Sequence, residues 1–169
     1  MDTKIRIAGI VKESIVDGPG IRMVVFAQGC KHNCPGCHNP HTHPFDGGTI
    51  VTVGSIIEQA KKNPLLDGIT FSGGEPFEQS GAFAVLAQEA KKLGLNVMTY
   101  TGYTYEYLLE NSHVRKDWAK LLEESDILVD GRFELEKKNL LLKFRGSENQ
   151  RIIDLKKSRL KGNIVLAAI

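Results

Sequence analysis

Three cysteines, Cys30, Cys34 and Cys37, lie within a span of eight residues, and the chain contains no other cysteine. Three thiolates on one loop can hold three irons of a cubane iron–sulfur cluster, which ordinarily takes four cysteines. Three cysteines are therefore either a deficit or the mark of a cluster in which one iron keeps an open coordination position. A substrate that chelates this iron would be bound directly at the metal.

A zinc site is the alternative, because structural zinc takes four Cys or His ligands, typically as two separated pairs. Four histidines could supply a fourth ligand: His32, His38, His41 and His43. On the cysteines alone, both metal sites stay open. A disulfide framework is disfavoured, since three is an odd number and no signal peptide is recognised ahead of the cysteines.

A glycine-rich turn, Ser72-Gly73-Gly74-Glu75-Pro76, follows a predicted buried strand over residues 67–71. Two glycines allow the backbone to approach a ligand closely because no Cβ intervenes. A double glycine alone indicates only a turn. Its place about 35 residues after the third cysteine makes the combination of the two motifs specific.

The two motifs together resemble the radical S-adenosylmethionine (SAM) superfamily, in which three cysteines hold a [4Fe-4S] cluster and SAM chelates the open iron. The resemblance implies reductive cleavage of SAM to methionine and a 5′-deoxyadenosyl radical. It assigns SAM contacts to two groups of residues: Gly36, Cys37 and His38 on the cysteine loop, and Gly73, Gly74 and Glu75 on the turn. A side chain added at Gly74 is then expected to block SAM and leave the iron content intact.

Further stretches narrow the resemblance to the activating enzymes of glycyl-radical enzymes, beginning with Asp17–Arg22 and Cys37-His38-Asn39. Residues 99–103, 126–133 and 144–154 resemble the activases of anaerobic ribonucleoside-triphosphate reductases, and the likeness extends over roughly residues 5–155. It implies that the substrate is a glycyl loop in the large subunit of that reductase. It also implies a one-electron donor such as flavodoxin.

Asp130 and Arg132 stand where related activases use an acidic and a basic residue near SAM, so the resemblance implies the same contacts here. One position departs from the superfamily pattern. Gly36 precedes the third cysteine, where an aromatic residue near the adenine is common. The adenine must then be held by backbone and by other side chains.

The composition, 41% hydrophobic and 25% charged over 169 residues, is typical of one globular domain. The resemblance implies that this is a single radical SAM domain over residues 1–169. A net charge of +2 gives no indication of nucleic-acid binding. No apolar run reaches the length of a membrane span. Clustered free thiols indicate a cytoplasmic location.

Alternating predicted strands and helices favour an α/β fold with parallel strands and right-handed crossovers. A complete eightfold barrel takes about 250 residues, so the length of the chain predicts a partial, open (β/α) barrel, which the resemblance implies is of the radical SAM type. Ligands bind at the carboxyl ends of such strands. Three stretches end predicted strands there: Ser72–Pro76, Thr101-Gly102 and Asp130–Arg132.

Four local predictions accompany this fold. Ser55 and Glu58 form a capping box that opens a helix, and 156–161 forms a solvated surface turn. Residues 140–142 form a strand or a buried turn. The 145–151 segment is a structural corner or part of a face that meets the partner.

Three other functions stay open on the sequence. The chain could activate another glycyl-radical enzyme of the pyruvate formate-lyase type. It could be a small radical SAM enzyme that acts on a free metabolite, such as a deazapurine synthase. It could also be a zinc-binding module without catalysis, which iron content and visible absorption would distinguish.

Overall fold

The computed structural model describes residues 1–169, which form a seven-stranded mixed sheet in the order β3-β1-β2-β4-β5-β6-β7. The strands are β1 (Lys4–Ser14), β2 (Arg22–Ala27), β3 (Thr49–Thr52), β4 (Gly68–Gly73), β5 (Asn96–Tyr100), β6 (Ile127–Asp130) and β7 (Arg151–Asp154). Strands β2, β4, β5 and β6 are parallel, whereas β1, β3 and β7 pair antiparallel at the two sides. The carboxyl ends of the parallel strands therefore meet at one edge.

Five helices connect or follow the strands: α1 (Val53–Lys61), α2 (Ser80–Lys92), α3 (Tyr105–Asn111), α4 (Lys116–Glu124) and α5 (Leu155–Lys161). Their apolar faces and one face of the sheet enclose a core of 28 buried residues. Side chains alternate between the faces of a strand, so Leu128 enters this core while Ile127 and Val129 point away from it. On the other face, these two residues and Met98 form a separate small cluster.

The structure confirms the α/β class and the open sheet, since β3 and β7 end it without pairing to each other. The expectation of parallel strands holds only for the central four. Strands β3 and β7 were not predicted, because each has only four residues and lies in a polar context. None of the helices is long and apolar enough to cross a membrane.

Three local predictions were wrong. Thr52, not Ser55, caps α1, since the Thr52 hydroxyl accepts the Ser55 N–H at 3.1 Å. Residues 156–161 belong to α5, whose first residue, Leu155, is buried beneath an exposed basic surface. Residues 140–142 form neither a strand nor a buried turn, because Leu140 and Leu141 are 84% and 92% exposed.

Candidate functional site

The three cysteines line one cavity of about 480 Å³ at the carboxyl ends of the parallel strands. Gly73, Gly74 and Arg132 are part of its wall, as are Cys37 and its neighbour His38. This volume lies within the range of roughly 300–1,000 Å³ that is usual for small-molecule sites. The structure thus brings the predicted cysteines, the glycine turn and Arg132 together.

The cysteine loop leaves β2 and is tied back onto itself by backbone hydrogen bonds. The N–H of Gly29 donates to the carbonyl of Thr42 at 2.7 Å, and that of Cys30 donates to His43 at 3.1 Å. The N–H of Glu75 donates to the carbonyl of Gly29 at 2.8 Å, which ties the loop to the glycine turn. Cluster loop and turn therefore form one frame.

Backbone donors surround the thiols. The Asn39 N–H donates to Sγ of Cys37 at 3.4 Å, and the backbone amides of His32 and Phe133 act to lower the pKa of Cys30 and of Cys34, respectively. Burial nevertheless raises the pKa of the Cys30 thiol to about 11, and burial also raises the pKa of Cys34. Since a thiol binds a metal as the thiolate, any metal bound by these cysteines would displace protons from them.

The two glycines of the turn are required by backbone packing as well as by the cavity. A Cβ on Gly74 would lie 2.5 Å from the carbonyl oxygen of Gly29, and one on Gly73 would lie 2.7 Å from the backbone nitrogen of Ala27. Gly73 also has a φ of +87°, which disfavours any residue with a Cβ. A side chain at Gly74 would therefore displace the cysteine loop, contrary to the expectation that iron content stays intact.

Glu75 lies behind the cavity wall and is fully buried. Its Oε1 accepts hydrogen bonds from His32 Nε2 at 2.6 Å, Thr101 Oγ1 at 3.0 Å and the Gly102 N–H at 2.8 Å. Its Oε2 accepts the Phe77 N–H at 3.1 Å. All of these donors belong to the protein itself. Because His32 lies on the cysteine loop and Thr101 and Gly102 follow β5, Glu75 joins that loop to the end of β5.

Asp130 does not line the cavity with the cysteines, although it directly precedes two residues that do. Its carboxylate is 1% exposed and accepts the Tyr105 N–H at 2.8 Å and Nε of Arg151 at 3.0 Å. Arg151 in turn binds Glu106, with Nη2 and Oε1 2.6 Å apart. Asp130 therefore ties β6 to β7 and to the start of α3.

Arg132 is an exposed side chain on the cavity wall. Its positive charge acts to lower the pKa of the Cys34 thiol, whereas burial raises that pKa. It forms no ion pair with a carboxylate. A guanidinium of this kind is free to bind an anionic group of a ligand.

The structure also shows what faces Gly36. A Cβ at Gly36 would lie 3.4 Å from the Phe133 ring, and one at Gly146 would lie 3.0 Å from it. The ring of Phe133 packs on His38 with centroids 5.0 Å apart. Gly36 does not itself line the cavity, whereas Phe133 and His38 do. An aromatic wall thus stands beside the position that lacks an aromatic residue in the sequence.

Sequence reasoning missed several other residues of the cavity: Val16, Asp17, Tyr100, Phe144, Arg145 and Gln150. Most belong to stretches that carried the resemblance, but nothing in their spacing shows that the chain returns to the cysteines. The role of Arg22 could not be predicted from the sequence either. This arginine is buried and donates to Thr70 Oγ1 at 2.8 Å. That arginine holds β2 to β4, and burial lowers its pKa to about 10.

The donor set fits an iron–sulfur cluster that keeps one open iron, since three thiols line one cavity and the chain has no fourth cysteine. The Nδ1 atom of His32, on the cavity wall, is buried without a hydrogen-bond partner. Such an atom is expected where a polar ligand completes the site.

Comparisons with known proteins agree with this site. The family model for a 4Fe-4S single cluster domain matches residues 16–153. The anaerobic ribonucleoside-triphosphate reductase-activating protein of Enterobacteria phage T4 is 31% identical over 145 residues, covering 81% of this chain and 86% of that protein. The protein of the same name from Vibrio cholerae is 34% identical over 144 residues, covering 80% and 89%.

A pyruvate formate-lyase-activating enzyme from Clostridium pasteurianum is 39% identical over 106 residues, covering 59% of this chain and 44% of that enzyme. These similarities confirm the predicted radical SAM activating enzyme, with a [4Fe-4S] cluster and SAM as its cofactors. The chain belongs to the family of anaerobic ribonucleoside-triphosphate reductase-activating proteins.

Proposed function

We propose that this chain activates an anaerobic ribonucleoside-triphosphate reductase by generating a glycyl radical on its large subunit. The observation that carries the proposal is the cavity in which Cys30, Cys34 and Cys37 face the glycine turn, with no fourth cysteine in the chain. When bound, a reduced [4Fe-4S] cluster supplies the electron that cleaves SAM into methionine and a 5′-deoxyadenosyl radical. The domain over residues 1–169 acts as a partial barrel of the radical SAM type.

The residues of the chain position these groups. The three thiolates hold the cluster, and the backbone of Gly73 and Gly74 lies along the methionine end of SAM. Arg132 pairs with the SAM carboxylate, since its guanidinium has no carboxylate partner within the protein. Glu75 and Asp130 act from behind the wall by holding the turn and the end of β6.

The adenine stacks on the wall formed by His38 and Phe133. Purines present a flat π-face, and stacking on an aromatic side chain contributes roughly 1–3 kcal/mol per base. A Cβ at Gly36 or at Gly146 would approach the Phe133 ring to 3.4 Å or 3.0 Å, so the two glycines leave room for the ring at this place. The absence of an aromatic residue at position 36 is thereby compensated from another part of the chain.

The physiological setting completes the proposal. A one-electron donor such as flavodoxin reduces the cluster, and the reaction takes place in the cytoplasm. Neither nucleic acid nor a membrane takes part. The substrate is a glycine residue in a loop of the reductase.

The test is radical formation on the reductase under strict anaerobiosis. We expect about four irons per reconstituted chain and, with SAM and a reductant, a doublet in electron paramagnetic resonance. The doublet arises because the unpaired electron couples to the one remaining α-hydrogen of the glycine. Deuterium at that Cα should appear in 5′-deoxyadenosine. Cys37→Ala is the control and should abolish the doublet, whereas a reductase that stays radical-free with the unaltered chain contradicts the proposal.

Activation of pyruvate formate-lyase is the second candidate, because one similar protein carries that name at 39% identity over 106 residues. Its similarity covers a smaller part of this chain than that of the reductase-activating proteins. Incubating pyruvate formate-lyase in parallel distinguishes the two. A doublet on the lyase alone would favour the second candidate.

A further inference from the structure

Exposed apolar side chains concentrate on two loops beside the cavity. Six large hydrophobic residues are more than 70% exposed, and four of them belong to these loops. Ile15 and Val16, 74% and 71% exposed, lie between β1 and β2, and Leu140 and Leu141, 84% and 92% exposed, lie between β6 and β7. We call these four residues the apolar rim. The other two, Val114 and Leu160, lie on separate parts of the chain.

Both loops of the apolar rim belong to the wall of the cysteine cavity. Val16 and Asp17 line the cavity from the first loop, and Leu142 and Phe144 line it from the second. Tyr100 lines the same cavity as Asp17 of the first loop, and its hydroxyl donates to the carbonyl of Phe144 in the second loop. Val16 of the apolar rim thus lines the cavity itself, and the other three rim residues lie within two positions of a residue that lines it.

The second loop is held firmly although its leucines are exposed. The side chain of Gln150 accepts the Gly146 N–H at 2.9 Å and donates to the carbonyl of Gly131 at 3.0 Å. Arg145 Nη1 donates to the carbonyl of Gln150 at 2.6 Å. Asn139 connects the leucines to this frame, because its N–H donates to the carbonyl of Gly146 at 3.2 Å and its Oδ1 accepts the Leu141 N–H at 2.9 Å. Such ordering reduces the entropy lost when a partner binds.

We propose that the apolar rim is the surface on which the reductase docks while it inserts its glycine into the cavity. The inference rests on the proposed function. The substrate glycine must enter the cavity that the two loops line, so the protein that carries it must cover them. Burial of exposed leucines stabilises such a contact, and the cover excludes water from the radical. A second copy of this chain would instead obstruct the entrance.

The test compares a rim variant with a matched control in the holoenzyme. Leu140→Ser with Leu141→Ser removes the two most exposed leucines, and Val114→Ser with Leu160→Ser removes residues of 72% and 80% exposure elsewhere. We expect the rim variant to keep its iron content, SAM affinity and partner-independent SAM cleavage. Its KM for the reductase should rise about 10- to 100-fold, as for the loss of interface hot spots, and the control should match the unaltered chain.

Three outcomes would overturn the inference. Equal KM values for the rim variant and the control would show that the reductase docks elsewhere. A lower iron content or SAM affinity in the rim variant alone would place the loop in cofactor binding. A change in the oligomeric state of the isolated rim variant would make the rim a contact between copies. These three outcomes concern the inference alone and leave the proposed function in place. Only a failure of the unaltered chain to generate a radical on the reductase would contradict the proposed function.

Discussion

Replacing the buried carboxylate of Glu75 tests whether the glycine turn is held by the protein or by its ligand. In Glu75→Gln the side chain keeps its shape but loses its charge and one acceptor. The amide oxygen can still face His32, Thr101 and Gly102, with three weaker hydrogen bonds. The amide NH₂ then faces the Phe77 N–H, so that donor loses its only partner at Oε2.

The expected loss in the free energy of unfolding of Glu75→Gln follows from these contacts. Hydrogen bonds to a charged group contribute about 1.5–3 kcal/mol and neutral ones about 1 kcal/mol, and an unsatisfied buried donor costs about 1–3 kcal/mol. Because a neutral side chain is easier to bury, we expect a net loss of about 2–4 kcal/mol in the free energy of unfolding. For a chain of this length that corresponds to a melting temperature lower by about 5–15 °C.

Thermal and urea unfolding of the iron-free protein measure this loss, and iron content after reconstitution reports on the cysteine loop. Glu78→Gln is the matched control, since Glu78 accepts a hydrogen bond from the Tyr103 hydroxyl at 2.7 Å and an amide oxygen can replace it. We expect the control to change stability by less than about 1 kcal/mol. Unchanged stability of Glu75→Gln with weakened SAM binding would refute the reasoning, because the carboxylate would then contact the ligand.

Four further outcomes are expected. Arg151→Met leaves Asp130 buried without its cation and should lower the free energy of unfolding by about 3–5 kcal/mol in urea. Arg151 lowers the pKa of Glu106 by a hydrogen bond, and this contact stabilises the fold at pH values above the ordinary pKa of that carboxyl. The difference in the free energy of unfolding between the unaltered chain and Arg151→Met should therefore narrow as the pH falls below about 4. Arg132→Ala should weaken SAM binding by about one to two decades in calorimetry, and unchanged affinity would exclude the carboxylate pair. Gly74→Val should lose iron as well as SAM binding, which iron analysis measures.

The motifs made much of the site predictable. Three cysteines followed by a double glycine after a strand identify the cluster loop and the turn, and both line one cavity. The long elements were also predictable, since the apolar spacing along α2 and α4 is that of a helix with one buried face. The open sheet followed from the length of the chain.

The residues that depend on tertiary contacts were not predictable. Nothing in the sequence distinguishes Glu75 and Asp130, which lie behind the wall, from Arg132, which lies on it. Glu75 is buried with donors that are distant in sequence, His32 and Thr101. Asp130 is buried with Arg151 as its donor. Phe133 was missed for the same reason, because its packing on His38 joins residues almost a hundred positions apart.

One face of the sheet carries most of the buried core, and the other face carries the residues around the cavity. The helices and one face bury the 28-residue core, whereas the cavity side has only a small cluster around Met98, Ile127 and Val129. The cysteines are half-buried in a loop outside the main core, so Cys→Ala substitutions there are expected to remove the proposed cluster ligands without loss of core packing. A variant that loses its cluster can therefore keep its fold. The cavity itself is lined both by ends of the parallel strands and by the loops that carry the apolar rim, so the proposed docking of the reductase on that rim would cover the site without disturbing the main core.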